Sequence, residues 1–221
     1  MVPLKMWTQD AGTPQGAVIS PLMANLYLNP LDHLMARSGV EMVRYADDFV
    51  MLCRSREQAE SALEAVRAWM EEAGLTLHPD KTRVVSIDED GGQFEFLGYR
   101  FVRRKGRDYR FPRPKSEKKL RDALRPLTRR NNGSSLEKII ADINRLLRGW
   151  YEYFMHAHHT VFPEIDGWVR MRLRSILRKR HRGKGRGRGR DHQRWPNAYF
   201  AGHGLFCLTT AHALAVQSPT G

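Results

Sequence analysis

Cysteine is scarce in this chain, and the two that occur, Cys53 and Cys207, are far apart, sit among apolar neighbours and form no CxxC spacing. That pattern argues against a disulfide framework and a cysteine-based zinc site, and favours a reducing compartment. Long apolar runs are missing too. No stretch approaches the length of a membrane span, and the opening residues lack the apolar core of a secretory signal. The expectation is a soluble, cytoplasmic protein with no membrane partner.

Acidic residues run short in one half only. Residues 1–98 hold eight Lys and Arg against fifteen Asp and Glu, a net of −7, whereas residues 99–221 hold 29 against nine, a net of +20. Charge segregated this way makes a polyanion the natural partner of the second half. A membrane surface would instead require basic residues opposite a long apolar helix face, and much of the charge here lies in extended or Gly-rich sequence. The tract 179–190 alternates Gly with basic residues and reads as low-complexity chain, flexible until it meets its partner. With 41% hydrophobic residues in 221, the chain can still build one good core or two small ones.

The apolar pattern predicts the elements. Ser20 and Pro21 read as N-cap and first helical residue of a helix reaching Gly39, with a kink at Pro30. Two β-prone runs, 42–45 and 49–53, flank Ala46, Asp47 and Asp48 and predict a hairpin with carboxylates at its tip. Ser55 and Gln58 have capping-box spacing at the start of a second helix that Gly74 ends. Strands are expected at 83–87 and 94–101, and one further hairpin within 103–115. Beyond it, apolar stripes predict helices over 116–130, 135–154 and 165–177, a small bundle, with the apolar tail from Trp195 to Leu208 folding back onto it. The fold class is α+β: helices on an antiparallel sheet, followed by an all-α module.

Adjacent carboxylates at a hairpin tip are costly to bring together, because like charges repel. A divalent cation removes that penalty, and hard cations favour one or two carboxylates together with water and substrate phosphates. The alternative is plain turn chemistry, since Asp often hydrogen-bonds its own backbone in turns. Sequence context separates the two.

Four segments in order resemble conserved blocks of the group II intron-encoded reverse transcriptases and maturases. Residues 12–25, GTPQGAVISPLMAN, resemble the fourth block. Residues 44–49, RYADDF, resemble the fifth, with its YxDD signature. Residues 74–82, GLTLHPDKT, resemble the sixth, and residues 94–99, FEFLGY, the seventh. The segment LRGWYEYF at 147–154 resembles the maturase-specific thumb.

The resemblance implies a polymerase palm with thumb over residues 1–114, 115–182 and 183–221: a palm part with the YADD turn and primer grip, a helical maturase domain, and a basic tract with C-terminal extension. It implies RNA-directed DNA synthesis with a role in intron RNA binding and splicing. Asp47 and Asp48 would serve Mg²⁺, with Mn²⁺ as a substitute, and Tyr45 would lie beside the primer terminus. Pro14, Gln15 and Gly16 would shape the nucleotide and template pocket, and Lys81 would approach the incoming deoxynucleoside triphosphate. Phe96, Leu97, Gly98 and Tyr99 would form the primer grip, where Gly lets a backbone come close to nucleic acid.

The family's earlier blocks, with a further metal-binding Asp, would precede Gly12, and Asp10 has no strand pattern around it. The expectation is a palm that does not polymerise alone, the product of a split or truncated reading frame that is either complemented in trans by a separate N-terminal fragment or decayed. The alternatives are a non-catalytic maturase-like RNA-binding protein and a retron- or defence-type reverse transcriptase fragment. A bacterial, nucleoid- or RNA-associated location follows from the same resemblance.

For the second half, phosphate contacts are expected from Arg103, Arg104, Lys105, Arg107, Lys115, Lys118, Lys119, Arg121, Arg125, Arg129, Arg130 and Arg148, holding structured intron RNA and an RNA/DNA primer-template. A charge run is usually a solvated face, but a net of +20 calls for counter-charge. Trp150 reads as core rather than a stacking platform. His156, His158 and His159 lack the accompanying ligands that a zinc site needs.

Overall fold

A computed structural model describes residues 19–89, 91–185 and 189–217. The chain divides into two compact units, residues 1–92 and 93–221.

In the first unit, α1 (Ser20–Arg37) and α2 (Arg56–Glu72) flank the antiparallel hairpin β1 (Glu41–Tyr45) and β2 (Asp48–Leu52). Ser20 is itself helical and Ile19 occupies the cap position, so α1 starts one residue earlier than its sequence signal. The helix also continues through Pro30, an exposed position. Leu28, Leu31 and Met35 of α1 bury against Ala62, Val66 and Met70 of α2, with Met42, Phe49 and Met51 of the hairpin packed on them. The α2 start follows its capping signal: the Ser55 hydroxyl accepts from the Gln58 amide at 3.2 Å, and the Gln58 side chain accepts from the Arg54 amide at 2.8 Å. At the other end Gly74 takes φ +67, which lets Leu75 donate to the Met70 carbonyl at 2.8 Å and close the helix.

The strand expected at 83–87 does not form; residues 82–86 are irregular and pair with no described strand. Val84 and Val85 supply β propensity, but propensity alone supplies no partner.

The second unit opens with a three-stranded antiparallel sheet in the order β3 (Gln93–Phe96), β4 (Tyr99–Arg104), β5 (Arg107–Pro112). Residues 94–101, read as one strand in the sequence, are two strands reversing at Leu97 and Gly98, with Phe96 paired to Tyr99. Leu97 at φ +47 and Gly98 at φ +77 are the two positive-φ residues that a type I′ hairpin loop needs. Leu is a poor marker for such a turn, which is why the alternating aromatics read straight through it. Although the sheet adjoins the palm motifs in sequence, Tyr99 and Phe111 pack on the helical core.

That core is built by α3 (Pro114–Leu127), α4 (Leu136–Phe154) and α5 (Val161–Arg180). Leu124, Ile143, Leu147, Phe162, Leu173 and Ile176 are fully buried in it. Each such side chain contributes roughly 1.5–3 kcal/mol on leaving water. The tail joins the same core through α6 (Arg190–Arg194), α7 (Asn197–Gly202) and α8 (Leu208–Gln217), which bury Trp195, Phe200 and Leu208. Two buried ionic groups on α5 fasten it. Asp166 accepts from the amides of Leu208 and Thr209, both at 3.0 Å, from the Thr209 hydroxyl at 2.7 Å and from the Cys207 thiol at 3.1 Å. Arg174 donates to the Trp195 carbonyl at 2.9 Å and to Asn197 Oδ1 at 2.8 Å, and its burial pulls the guanidinium pKa down.

Candidate functional site

The carboxylate pair sits at the tip of the β1–β2 hairpin. Tyr45 pairs with Asp48, so the loop is Ala46 and Asp47 alone. Ala46 takes φ +55, a region that costs a non-glycine residue about 1–3 kcal/mol and persists only where the surroundings enforce it. Asp47, Asp48 and Tyr45 are all exposed, Tyr45 at 67%. Neither Asp side chain has a hydrogen-bond or ion-pair partner among the described residues, so both present free oxygens to solvent.

Arg44, which the sequence pattern does not single out, bonds to this turn. Its Nε donates to Asp32 Oδ1 at 2.8 Å and its Nη2 to Asp32 Oδ2 at 2.5 Å, a two-pronged grip on α1. Nη1 donates to Asn25 Oδ1 and to the Ala46 carbonyl, both at 3.0 Å. The Asp32 hydrogen bond raises the Arg44 pKa further above its ordinary value, against a partial desolvation cost. The available signal was the Asp32–Arg44 pair itself, which periodicity cannot flag because the two lie on different elements.

Two exposed, unpartnered carboxylates on consecutive residues are hard ligands of the kind a divalent cation shares with water and phosphate. No group of three or more His, Cys, Asp and Glu that could hold a metal occurs among the described residues. Pro14, Gln15 and Gly16 lie outside the described residues. Lys81 is exposed in the turn after His78, with its amide donating to the His78 carbonyl at 3.2 Å.

In the second unit the Leu97–Gly98 turn is tied down by its neighbours. Tyr153 Oη donates to the Leu97 carbonyl at 2.8 Å, and the Gly98 carbonyl accepts from the Arg113 amide at 2.9 Å and the Ser116 hydroxyl at 3.3 Å. Tyr99 Oη donates to the Tyr153 carbonyl at 2.6 Å, and burial pushes the Tyr99 phenol pKa up.

The twelve basic residues expected to meet RNA divide by what already holds them. Arg103 pairs with Asp108, Lys118 with Asp122, Arg121 with Glu117 and Glu164, and Arg125 lies 3.6 Å from Asp122. Arg148 stacks its guanidinium 4.6 Å from the Phe206 ring. Arg104, Lys105, Arg107, Lys115, Lys119 and Arg129 are exposed and have no carboxylate partner among the described residues. Arg130 donates to the Gly183 carbonyl at 3.4 Å. With Lys179, Arg182 and Lys184 it lines an open cleft of about 370 Å³ that has no acidic residue in its lining among the described residues. Trp150 is half-buried against Phe154, as its spacing implied. The His158 and His159 rings pack at 4.3 Å with a 42° tilt, and belong to no group of three or more potential metal ligands among the described residues.

Two family models match the chain: reverse transcriptase (RNA-dependent DNA polymerase) over residues 5–101, and the group II intron maturase-specific domain over residues 117–195. The first match identifies residues 5–101 as a reverse transcriptase domain. With the second downstream on the same chain, the protein belongs to the group II intron reverse transcriptase/maturase family.

Among curated relatives, Protein YkfC of Escherichia coli (strain K12) is 30% identical over 131 residues, covering 43% of this chain and 34% of its own length. The telomerase reverse transcriptase of Oryzias latipes is 30% identical over 91 residues, covering 40% of this chain and 8% of its own length. An uncharacterized 91 kDa protein in a cob intron of Schizosaccharomyces pombe is 23% identical over 229 residues, covering 67% of this chain and 28% of its own length. The chain thus spans about a third or less of the relatives it matches. Both domains imply binding of nucleic acid, and the class generally uses divalent metal ions. No described helix is long and apolar enough to cross a membrane.

Proposed function

We propose that the chain is the YADD-bearing part of the palm, with the maturase domain, of an RNA-directed DNA polymerase that also binds its group II intron RNA. The observation that supports this best is the two-residue turn at Ala46 and Asp47, which leaves Asp47 and the adjoining Asp48 exposed and unpartnered among the described residues. On this reading Asp47 and Asp48 would hold Mg²⁺, with Mn²⁺ as a substitute. The ion would stabilise charge on the transferring phosphate and on the attacking 3′-hydroxyl oxygen. Tyr45 offers its exposed ring beside the primer end. Lys81 carries a free charge for the triphosphate, and Pro14, Gln15 and Gly16 shape the template pocket.

The grip turn at 96–99 presents backbone to the primer strand while Tyr153 and Arg113 fix its carbonyls. The exposed basic residues of the second unit then hold intron RNA and primer-template through their phosphates. The maturase-specific match favours this over a retron- or defence-type enzyme.

The test is primer extension on an RNA template with Mg²⁺, by the chain alone and with a fingers-and-palm fragment of a related reverse transcriptase added. A third metal-binding carboxylate does not appear among the described residues, so extension is expected in the supplemented mixture and lost in Asp47→Ala. Salt-sensitive RNA binding with no extension in either mixture would overturn the polymerase reading in favour of a maturase-like RNA binder.

A further inference from the structure

We infer that Arg44 is a positioning residue for the carboxylate turn, holding the Ala46–Asp47 loop to α1 so that Asp47 and Asp48 stay in the geometry a cation needs. The inference rests on the metal-binding reading of those two carboxylates.

Four of the five guanidinium N–H groups are used, and they reach three groups on two segments: the carboxylate of Asp32 and the side-chain amide oxygen of Asn25 on α1, and the carbonyl of Ala46 within the loop itself. The loop needs such a hold. Ala46 stands at φ +55, where a residue with a Cβ does not rest by preference. The Arg44 side chain is only 10% exposed, and its bonds to Asp32 and Ala46 are part-buried, whereas its bond to Asn25 lies at the surface. A lysine could not substitute, because a point ammonium cannot grip a carboxylate in two places and still turn donors toward a carbonyl and an amide. The Ala46 carbonyl and the Asp47 amide nitrogen belong to one peptide group, so fixing that oxygen fixes the plane from which Asp47 departs.

The experiment compares full-length wild type with Arg44→Gln, Arg44→Lys and Asp47→Ala, and with Tyr27→Phe. Tyr27→Phe removes a different tie of the first unit, the 2.6 Å bond from Tyr27 Oη to the Ala73 carbonyl. Two readouts are taken: hydrogen exchange by mass spectrometry over peptides covering 44–49 and 56–72, and Mn²⁺ binding by electron paramagnetic resonance. In Arg44→Gln, exchange over 44–49 is expected to rise about tenfold or more, the size of a lost charge-assisted hydrogen bond, with 56–72 unchanged. Mn²⁺ affinity is expected to fall about ten- to a hundredfold, as for other supporting partners of metal ligands. Arg44→Lys should behave like Arg44→Gln, and Tyr27→Phe should leave both readouts of the turn at wild-type level.

Wild-type exchange at 44–49 in Arg44→Gln, an equal rise across 56–72, or full rescue by lysine would each overturn the positioning role. If wild-type chain shows no Mn²⁺ binding that Asp47→Ala removes, the metal reading fails instead. The exchange data then decide the Arg44 hold by themselves.

Discussion

Tyr153 on α4 donates its hydroxyl to the carbonyl of Leu97, 56 positions earlier in the chain, at 2.8 Å. The return contact runs from the Tyr99 hydroxyl to the Tyr153 carbonyl at 2.6 Å, and the two rings stack with centroids 6.2 Å apart. A β-turn and the end of a long helix are thereby crossed twice by hydrogen bonds. On the proposed function, the grip turn is carried by the maturase helices: whatever moves α4 moves the turn.

Gly98 makes that arrangement testable. Its φ is +77, and a Cβ there would stand 3.5 Å from the Phe154 ring and 3.6 Å from both Ser116 Oγ and the Tyr153 ring. Those are ordinary contacts, so the cost of Gly98→Ala comes from the left-handed backbone rather than from collision. The expected loss is about 1–2 kcal/mol in urea unfolding followed by circular dichroism. A loss well above that would mean the turn is packed more tightly than these distances show, and no loss would mean the backbone relaxes out of φ > 0.

Asp166 offers a larger effect. It is 3% exposed and its two oxygens accept from the Leu208 and Thr209 amides, the Thr209 hydroxyl and the Cys207 thiol. Asn keeps one acceptor oxygen but turns an NH₂ toward groups that are themselves donors. Asp166→Asn should therefore destabilise the second unit by about 1–3 kcal/mol, the penalty for stranding buried donors. Limited proteolysis should cut within 203–217 faster in Asp166→Asn than in wild type. Uncut tail at wild-type rates would show that Leu208 and Phe206 hold α8 without the carboxylate.

How much of this was legible in sequence depended on whether the signal was local. The YADD hairpin could be read because its strands and its tip are contiguous, and Ser55 with Gln58 announced the start of α2. The three maturase helices followed from stripes such as Ile139, Ile143 and Leu147, all buried on α4. The Leu97 reversal was hidden because a non-glycine residue took a positive φ within an otherwise strand-like run. Arg44 was hidden for a different reason: its partners Asn25 and Asp32 lie on α1, and only folding brings the three together. The run at 83–87 failed in the opposite direction, as a strand-like sequence that found no partner.

Acidification should loosen the second unit through His158. Burial is the main cause that holds its pKa below the ordinary 6.5, and the neighbouring His159 and His212 push it the same way. Its Nδ1 lies 2.8 Å from Thr160 Oγ1, and its ring packs on Tyr109 and Phe111. The unfolded chain takes up the proton first, so this contribution is fully present above about pH 6.5 and is lost as pH falls through the interval below it. His158→Gln should shrink the difference in melting temperature between neutral and mildly acid buffer. An unchanged difference would assign the acid sensitivity to other groups.

The basic surface predicts which cations carry RNA affinity. Lys119 has no carboxylate partner among the described residues, whereas Lys118, one position away, already holds Asp122 at 2.6 Å. Exposed ion pairs are worth no more than about 1 kcal/mol, so RNA can break them, but a phosphate contact made that way must first give up the carboxylate. Titrating a group II intron RNA fragment against salt should give a linear fall of log affinity with log salt. Lys119→Gln should flatten the slope by about 0.7–0.9, the release of counterions from one phosphate, and Lys118→Gln by clearly less. Equal changes from the two would mean that the Lys118–Asp122 pair is already open in solution. A slope unaffected by both would move the RNA contact off α3, toward the cleft of Arg130, Lys179, Arg182 and Lys184.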